Sequence, residues 1–433
     1  MAAQPASAPR TAKHQLKRWL FAPPRAHGVI LKDRTVSNLE LFYDLSYVAV
    51  IAQASHQLAE HATVVAFAQF AVVFGMLWFA WFNGSLYVEL HGREDGRTRL
   101  LVFLQMGFLA LLAVFTGDAA GSTGQPFAIA YSLFLAVMGW AWYSIRELDR
   151  VERPEFLDIT AVYVGGMFAS AVVVLVTAAL PDIWRLVIWA LFLTGWVGFV
   201  ISGSRGNQRQ VEGIVPTDSL VERFGAFTII VLGEVVLAVV TGLSAAGTDA
   251  LTIFTGSLAL IVGFGFWWIY FDLVGRRLPR SGGTVWTWML SHLPIQLAIV
   301  GSGAAIVSLI EHAHEPATPP ESAVLLGGSV AIGLLGLILT ERSLEDAVRL
   351  EIVYRPLGAI LAGGAAIALL AGWAAPAPWI LAGLMVAILT ALWLFVVARM
   401  IRAGVWGESL GEPLGTSLGE PLGEPATEAS AAT

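Results

Sequence analysis

The chain has 433 residues, 57 % of them hydrophobic and only 13 % charged, with a mean hydropathy of +0.72. A soluble protein of this size carries about twice that charge, so the composition excludes a soluble domain or a nucleic-acid-binding module and points to a polytopic membrane protein. The net charge of −7 decides little because an acidic tail sets part of it, and the absence of cysteine excludes disulfides, thiolate metal sites and Cys nucleophiles.

Residues 1–38 form a basic, Pro-rich arm without the short apolar core of a cleavable signal peptide. Twelve spans follow, near 39–58, 64–90, 99–117, 126–146, 156–180, 183–203, 219–241, 251–274, 285–310, 323–341, 355–374 and 378–401. Their apolar runs are long enough for helices, whereas a barrel would show alternating ten-residue segments. The fold class read here is all-α, a helical membrane protein of about twelve transmembrane helices. The tail, 403–433, repeats Leu-Gly-Glu-Pro at 410–413, 418–421 and 422–425 and cannot bury a core, so disorder is expected.

Basic residues test the span count. With the N-terminus inside, the segments 1–38, 91–98, 147–155, 204–218, 275–284, 342–354 and the tail, with their flanks, hold every one of the 25 Lys and Arg except Arg185. One missed span would invert half of the loops, so this partition supports twelve spans with both termini cytoplasmic. All three lysines precede the first span. They serve either as a topogenic signal, the preferred reading, or as a contact to anionic lipid headgroups.

The first span is the most informative. It carries Glu40, Asp44, Gln53 and His56 in an otherwise apolar run. Ionisable groups in hydrocarbon are costly and usually face a packed interior or a water path. Glu40 and Asp44 are four apart and share one helix face, so a cation, a proton or an Arg partner is expected between them. The alternative is a pair at headgroup level that caps the helix start. Glu-Leu-Phe-Tyr-Asp-Leu at 40–45, with Gln53, Ser55 and His56, resembles the opening signature of the bacterial low temperature requirement protein A family. The segment 221–234, from Val221-Glu222-Arg223-Phe224 to Gly233-Glu234, resembles that family's second signature, and His292-Leu293-Pro294 and Glu311-His312 also fit. The resemblance covers roughly residues 34–400 and implies a multi-pass protein of the bacterial inner membrane, named for a cold-growth phenotype rather than for an activity.

An internal duplication is also expected. Glu40-Leu41-Phe42 matches Glu222-Arg223-Phe224, Trp81-Phe82-Asn83 matches Tyr270-Phe271-Asp272, and Leu104-Gln105 matches Ser291-His292, at offsets that drift by only a few residues. Residues 39–203 and 219–402 would then be two six-helix repeats joined by a connector, 204–218. An even number of spans makes them parallel repeats about an axis along the membrane normal.

By depth, Glu40, Asp44, Asn83, Gln105, Glu222, Arg223, Asp272 and His292 fall in the cytoplasmic third, and Gln53, His56, Glu234 and Glu311 in the outer half. Together they sketch a polar path between the repeats, where transporters commonly place sites. Arg223 is expected to pair with Glu40, Asp44 or Asp272. Glu234, with His56 as its partner, suits proton binding and release, or else serves as a helix–helix hydrogen bond. Glu222–Arg223 also reads as interfacial charge, Asp272 as a helix cap near Arg276, and His292 as a hydrogen-bond partner for backbone near Pro294. His312 and His314 lack a third ligand at convincing spacing, so no metal is expected. No phosphate or dinucleotide fingerprint implies a cofactor, and the Gly-x-Ser-x-Gly string at 415–419 lacks the strand and helix it needs. The leading expectation is a proton- or cation-coupled transporter of a small solute, ahead of a cation channel and a lipid-modifying enzyme. The expected partners are the lipid bilayer and a proton, cation or small solute, with no nucleic acid.

Overall fold

The computed structural model describes residues 16–17, 19–29, 31, 34–206, 216–280 and 283–403. Lys13, Lys32, Arg209, most of the connector 204–218, and the expected disordered tail with its Leu-Gly-Glu-Pro repeats lie outside the described residues.

Among the described residues twelve long helices carry the fold: α1 Asn38–Glu60, α2 Val64–His91, α3 Gly96–Thr116, α4 Gly124–Glu152, α5 Leu157–Thr177, α6 Asp182–Gly206, α7 Asp218–Ala246, α8 Ala250–Leu273, α9 Thr284–Glu311, α10 Pro320–Glu341, α11 Glu351–Ala374 and α12 Pro378–Arg402. No strand occurs among the described residues. Their starts follow local chemistry. Ser37 caps α1 in a capping box with Glu40, and Thr63, Asp95, Thr217 and Asp249 cap α2, α3, α7 and α8 with side-chain oxygens. Pro320 and Pro378 sit in the first turns of α10 and α12, where a missing backbone donor costs nothing.

Eleven of the twelve are long and apolar enough to cross a membrane. The exception is α1, whose polar residues dilute its apolar content. Its Glu40 and Asp44 are nonetheless buried. Large apolar side chains such as Phe103, Val114, Val172, Trp184 and Trp373 stand exposed around the bundle, as a lipid-facing sheath requires. The most enclosed spans are α9 and α10, and α6 is the least enclosed. Close approach is possible where side chains are absent: a Cβ on Gly327 of α10 would lie 2.4 Å from the Ala368 carbonyl of α11.

Successive helices run up and down, so the turns gather at two ends. At one end Arg185 ties the α5–α6 turn to the α3–α4 turn through the Gly121 carbonyl (3.3 Å), and Thr318 N–H donates to the Pro376 carbonyl (2.9 Å). At the other, Arg25 N–H donates to the His91 carbonyl (3.0 Å), and Arg277 pairs with Asp346 at 2.5 Å. In the first half α1 packs on α2 and α3, α3 on α4, α4 on α5, α2 on α6 and α5 on α6. In the second, α7 packs on α8 and α9, α9 on α10, α10 on α11, α8 on α12 and α11 on α12. Between them, α1 meets α7 and α9.

The N-terminal arm is more than a string of charges. Pro24, Arg25, Ala26 and His27 are buried against the ends of α2 and α4. His27 Nδ1 lies 2.8 Å from Asp149 Oδ2, its ring stacks on Phe156, and Thr160 donates to the same carboxylate oxygen. Burial, with Arg34 nearby, lowers the Arg25 guanidinium below its usual pKa.

Candidate functional site

At the arginine-rich end, α1, α2 and α7 bring five charged side chains together. Arg223 of α7 donates to Glu40 Oε2 at 2.8 Å and to Asp44 Oδ1 at 3.3 Å. Arg34, just before α1, grips Glu40 at 2.7 and 2.8 Å and reaches Glu89 of α2. The other Glu89 oxygen accepts from Thr217 (2.8 Å) and Ser219 (2.9 Å) at the start of α7. Glu40, Asp44, Glu89 and Arg223 are all buried. The capping box that starts α1 aims Glu40 at this end, and the spacing of four brings Asp44 onto the same face. Charges this far from water persist only when paired and hydrogen-bonded.

Behind the ion pairs the interior is filled by aromatic rings. Trp81 Nε1 donates to Asp44 Oδ1 at 2.8 Å, and its ring stacks on Phe227 with centroids 4.0 Å apart. The Tyr43 and Tyr47 hydroxyls are 3.0 Å apart. Deeper still, Trp78 Nε1 donates to Gln296 Oε1 (2.6 Å), and Gln296 Nε2 donates to the Thr228 hydroxyl (3.0 Å).

At the opposite end a cavity of about 930 Å³ opens between the last turns of α1 and α9, residues 234–241 of α7 and the start of α10. Its lining includes Glu60, Glu234, Glu311 and Glu321, with His56, His61 and His312, and no lysine or arginine among the described residues. Glu234 differs from the other three carboxylates. It is 4 % exposed and makes no hydrogen bond or ion pair with any described residue. It lies eleven residues beyond Arg223 on α7, about 16 Å along the helix. Near this mouth, hydrogen bonds from Thr252 and His314 hold the exposed Asp249 carboxyl well below the usual carboxylate range.

Several expected site residues lie elsewhere. Asp272 does not reach Arg223. It sits on the face of α8 toward α12, where Trp393 Nε1 donates to its Oδ2 at 2.8 Å and Arg277 donates to its carbonyl. Asn83 bonds back to the Phe79 carbonyl one turn earlier (2.8 Å), and Gln105 Nε2 lies 3.2 Å from Met138 Sδ. Glu222 is exposed and accepts from Val36 N–H at 3.3 Å. His292 is buried, with Nδ1 on the Trp288 carbonyl (2.7 Å) and Nε2 on the Tyr270 hydroxyl (3.0 Å). Both ring nitrogens are therefore used, as in a structural histidine. His56 lines the cavity with Glu234 and Glu311, but its Nδ1 lies 3.4 Å from Glu60, not on Glu234. Arg34, Glu89 and Trp81 are the members the sequence reading missed. Arg34 was one basic residue among seven in the arm, and Glu89 stood at a helix end where loop charge is ordinary.

A family model described as bacterial low temperature requirement A protein (LtrA) matches residues 35–398. The chain is also 26 % identical over 324 residues to uncharacterized protein RA0937 of Rhizobium meliloti (strain 1021), covering 69 % of this chain and 75 % of that protein. No solved structure matches. The chain belongs to the bacterial low temperature requirement A family.

Proposed function

We propose that this LtrA family member is a proton- or cation-coupled transporter of a small solute, with twelve spans in the inner membrane and both termini cytoplasmic. Arginine segregation supports the orientation: at the end opposite the arm, Arg185 is the only basic Lys or Arg among the described residues. α1 is counted as a span on its surroundings. Its 23 residues extend about 34 Å, enough for a hydrocarbon core, from the ion pairs at one end to the cavity at the other.

The order of helix neighbours supports the reading of two parallel repeats. Each packing pair named for α1–α6 has its counterpart in α7–α12: α1 on α3 with α7 on α9, α4 on α5 with α10 on α11, α2 on α6 with α8 on α12. Arg223 then reaches across the repeat boundary to Glu40 and Asp44, and repeat boundaries are where transporters hold their sites.

The observation that carries the proposal is Glu234, a buried carboxylate without a partner among the described residues, in a cavity open at one end, while ion pairs close the other. This is the arrangement of an outward-facing carrier, with Arg34, Glu40, Asp44, Glu89 and Arg223 as the inner gate. Opening that gate parts its carboxylates from Arg34 and Arg223; an incoming proton or cation neutralises the carboxylates, and the freed guanidinium groups turn to water. Cold-growth complementation tests the role. Glu234→Gln keeps size and hydrogen bonding but cannot exchange a proton. Normal folding without complementation is the expected outcome, and full complementation would reduce Glu234 to a structural residue.

A further inference from the structure

The outer cavity has features that narrow the ligand. Its volume of about 930 Å³ far exceeds what a bare cation needs and lies in the range of sites for small organic molecules. Among the described residues four carboxylates and no Lys or Arg line it, so its field favours a cation. A ring of acidic residues alone would be an ordinary solvated mouth. Glu234 is different: it is 4 % exposed, has no partner among the described residues, and meets water only through the cavity whose wall it forms. A carboxylate in that position needs either a proton or a bound cation to neutralise it.

The remaining wall tells the kinds of cation apart. Among the described residues no Phe, Tyr or Trp lines the cavity, so they build no aromatic cage of the kind that quaternary ammonium groups favour. Ser55, Ser308 and Ser322 supply hydroxyl oxygens, and Leu237, Ala238 and Val307 supply aliphatic surface. The Ser322 hydroxyl donates to Ser308 at 2.9 Å, and each oxygen keeps acceptor capacity. A primary ammonium has three donors, which suits one carboxylate plus hydroxyls, and an aliphatic stem suits the apolar wall.

We infer that the cavity binds a small aliphatic primary amine as its ammonium ion, anchored on Glu234, and that the same carboxylate holds a proton when the amine is absent. This deepens the transporter reading and rests on it for direction. In the exchange the amine enters already protonated, Glu234 releases its proton to the cavity water, and the carboxylate pairs with the ammonium; no other bond changes. One carboxylate that cannot hold both makes proton and amine movements opposite and obligatory. The other titratable groups facing the cavity are His56 and Glu60 from α1, His61 from the turn after it, Glu311 and His312 from α9, and Glu321 from α10. Glu234 is the buried carboxylate among them.

The test uses the full chain in detergent with n-butylammonium chloride as the probe, against tetramethylammonium, sodium and potassium chlorides. Calorimetry should give saturable heat for butylammonium and little for the other three. Glu234→Gln should weaken binding about tenfold or more, the size of losing a charge-assisted hydrogen bond. Glu311→Gln, at the exposed rim, should change it far less. Infrared difference spectra on the unaltered protein at pH 6 should show amine-induced loss of a protonated-carboxyl band, a readout that does not depend on a variant folding. Absence of butylammonium binding, tetramethylammonium binding as tight, equal affinity for sodium or potassium, or no carboxyl band loss would each overturn the assignment. Proton-linked flux of another solute in proteoliposomes would then leave the transporter reading standing. Amine binding without any flux would do the reverse.

Discussion

Arg223 Nη1 lies 2.8 Å from Glu40 Oε2, joining two helices whose residues are 183 positions apart in the chain. The same guanidinium reaches Asp44, four residues along α1, at 3.3 Å. One cation thus answers two like charges on a single helix face.

Removing one partner of a buried pair leaves uncompensated charge and costs about 3–5 kcal/mol. Arg223→Ala should therefore lower folded yield and thermal stability in detergent. Adding Glu40→Gln or Asp44→Asn should restore part of the loss. Size-exclusion profiles and thermal unfolding check this. Normal stability for Arg223→Ala would mean that Arg34 alone holds the cluster.

Gly84 of α2 faces the same region. A Cβ there would lie 2.4 Å from the Tyr43 hydroxyl and 2.9 Å from Gln105 Oε1. Gly84→Ala should destabilise the protein by about 1–3 kcal/mol, as overpacking does. Tyr43→Phe in the same chain should recover part of that by removing the nearest atom. A thermal-shift series on Gly84→Ala, Tyr43→Phe and the double variant measures it.

The arm makes a separate prediction. Asp149→Ala removes the partner of His27 and of Thr160, a loss of about 1–3 kcal/mol for a buried hydrogen-bonding group. The arm should loosen, and trypsin should cut after Arg25, which is buried in the docked state. The cleavage rate in detergent reports the change, and resistance equal to the parent protein would show that the Arg25 contacts suffice.

Because the chain has no cysteine, single introduced cysteines give clean topology readings. Ala62→Cys, Thr248→Cys and Ala317→Cys should react with a membrane-impermeant thiol reagent from outside. Glu94→Cys, Glu155→Cys and Val348→Cys should react only after the membrane is opened. An inside position for Thr248→Cys would break the twelve-span count and the parallel repeats with it.

Much of this arrangement was legible in the sequence. Hydropathy located eleven of the twelve long helices, because apolar length is a local property, while α1 was placed by its polar signature in an apolar run, and the arginines separated the two ends. The pairing of Arg223 with the α1 carboxylates also followed from placing charges by depth. Three features did not follow. Asp272 matched Asn83 by position, yet α8 turns it toward α12 and Trp393, and facing is set by helix rotation in the bundle. Arg34 and Glu89 looked like loop charge until α2 and α7 converged on them. The docking of His27 on Asp149 joins residues 122 apart, with no periodicity to announce it.

The central claim is that Glu234 carries the exchangeable proton of a transport cycle. Proteoliposomes loaded with a pH-sensitive dye test it directly, with a solute gradient imposed across parent and Glu234→Gln protein reconstituted at equal density. The expected result is solute-dependent proton movement in the parent, electrically shunted or not, and none in a Glu234→Gln variant that still elutes as folded protein. Equal proton movement in the variant, or voltage-driven ion flux in the parent without any solute gradient, would contradict it.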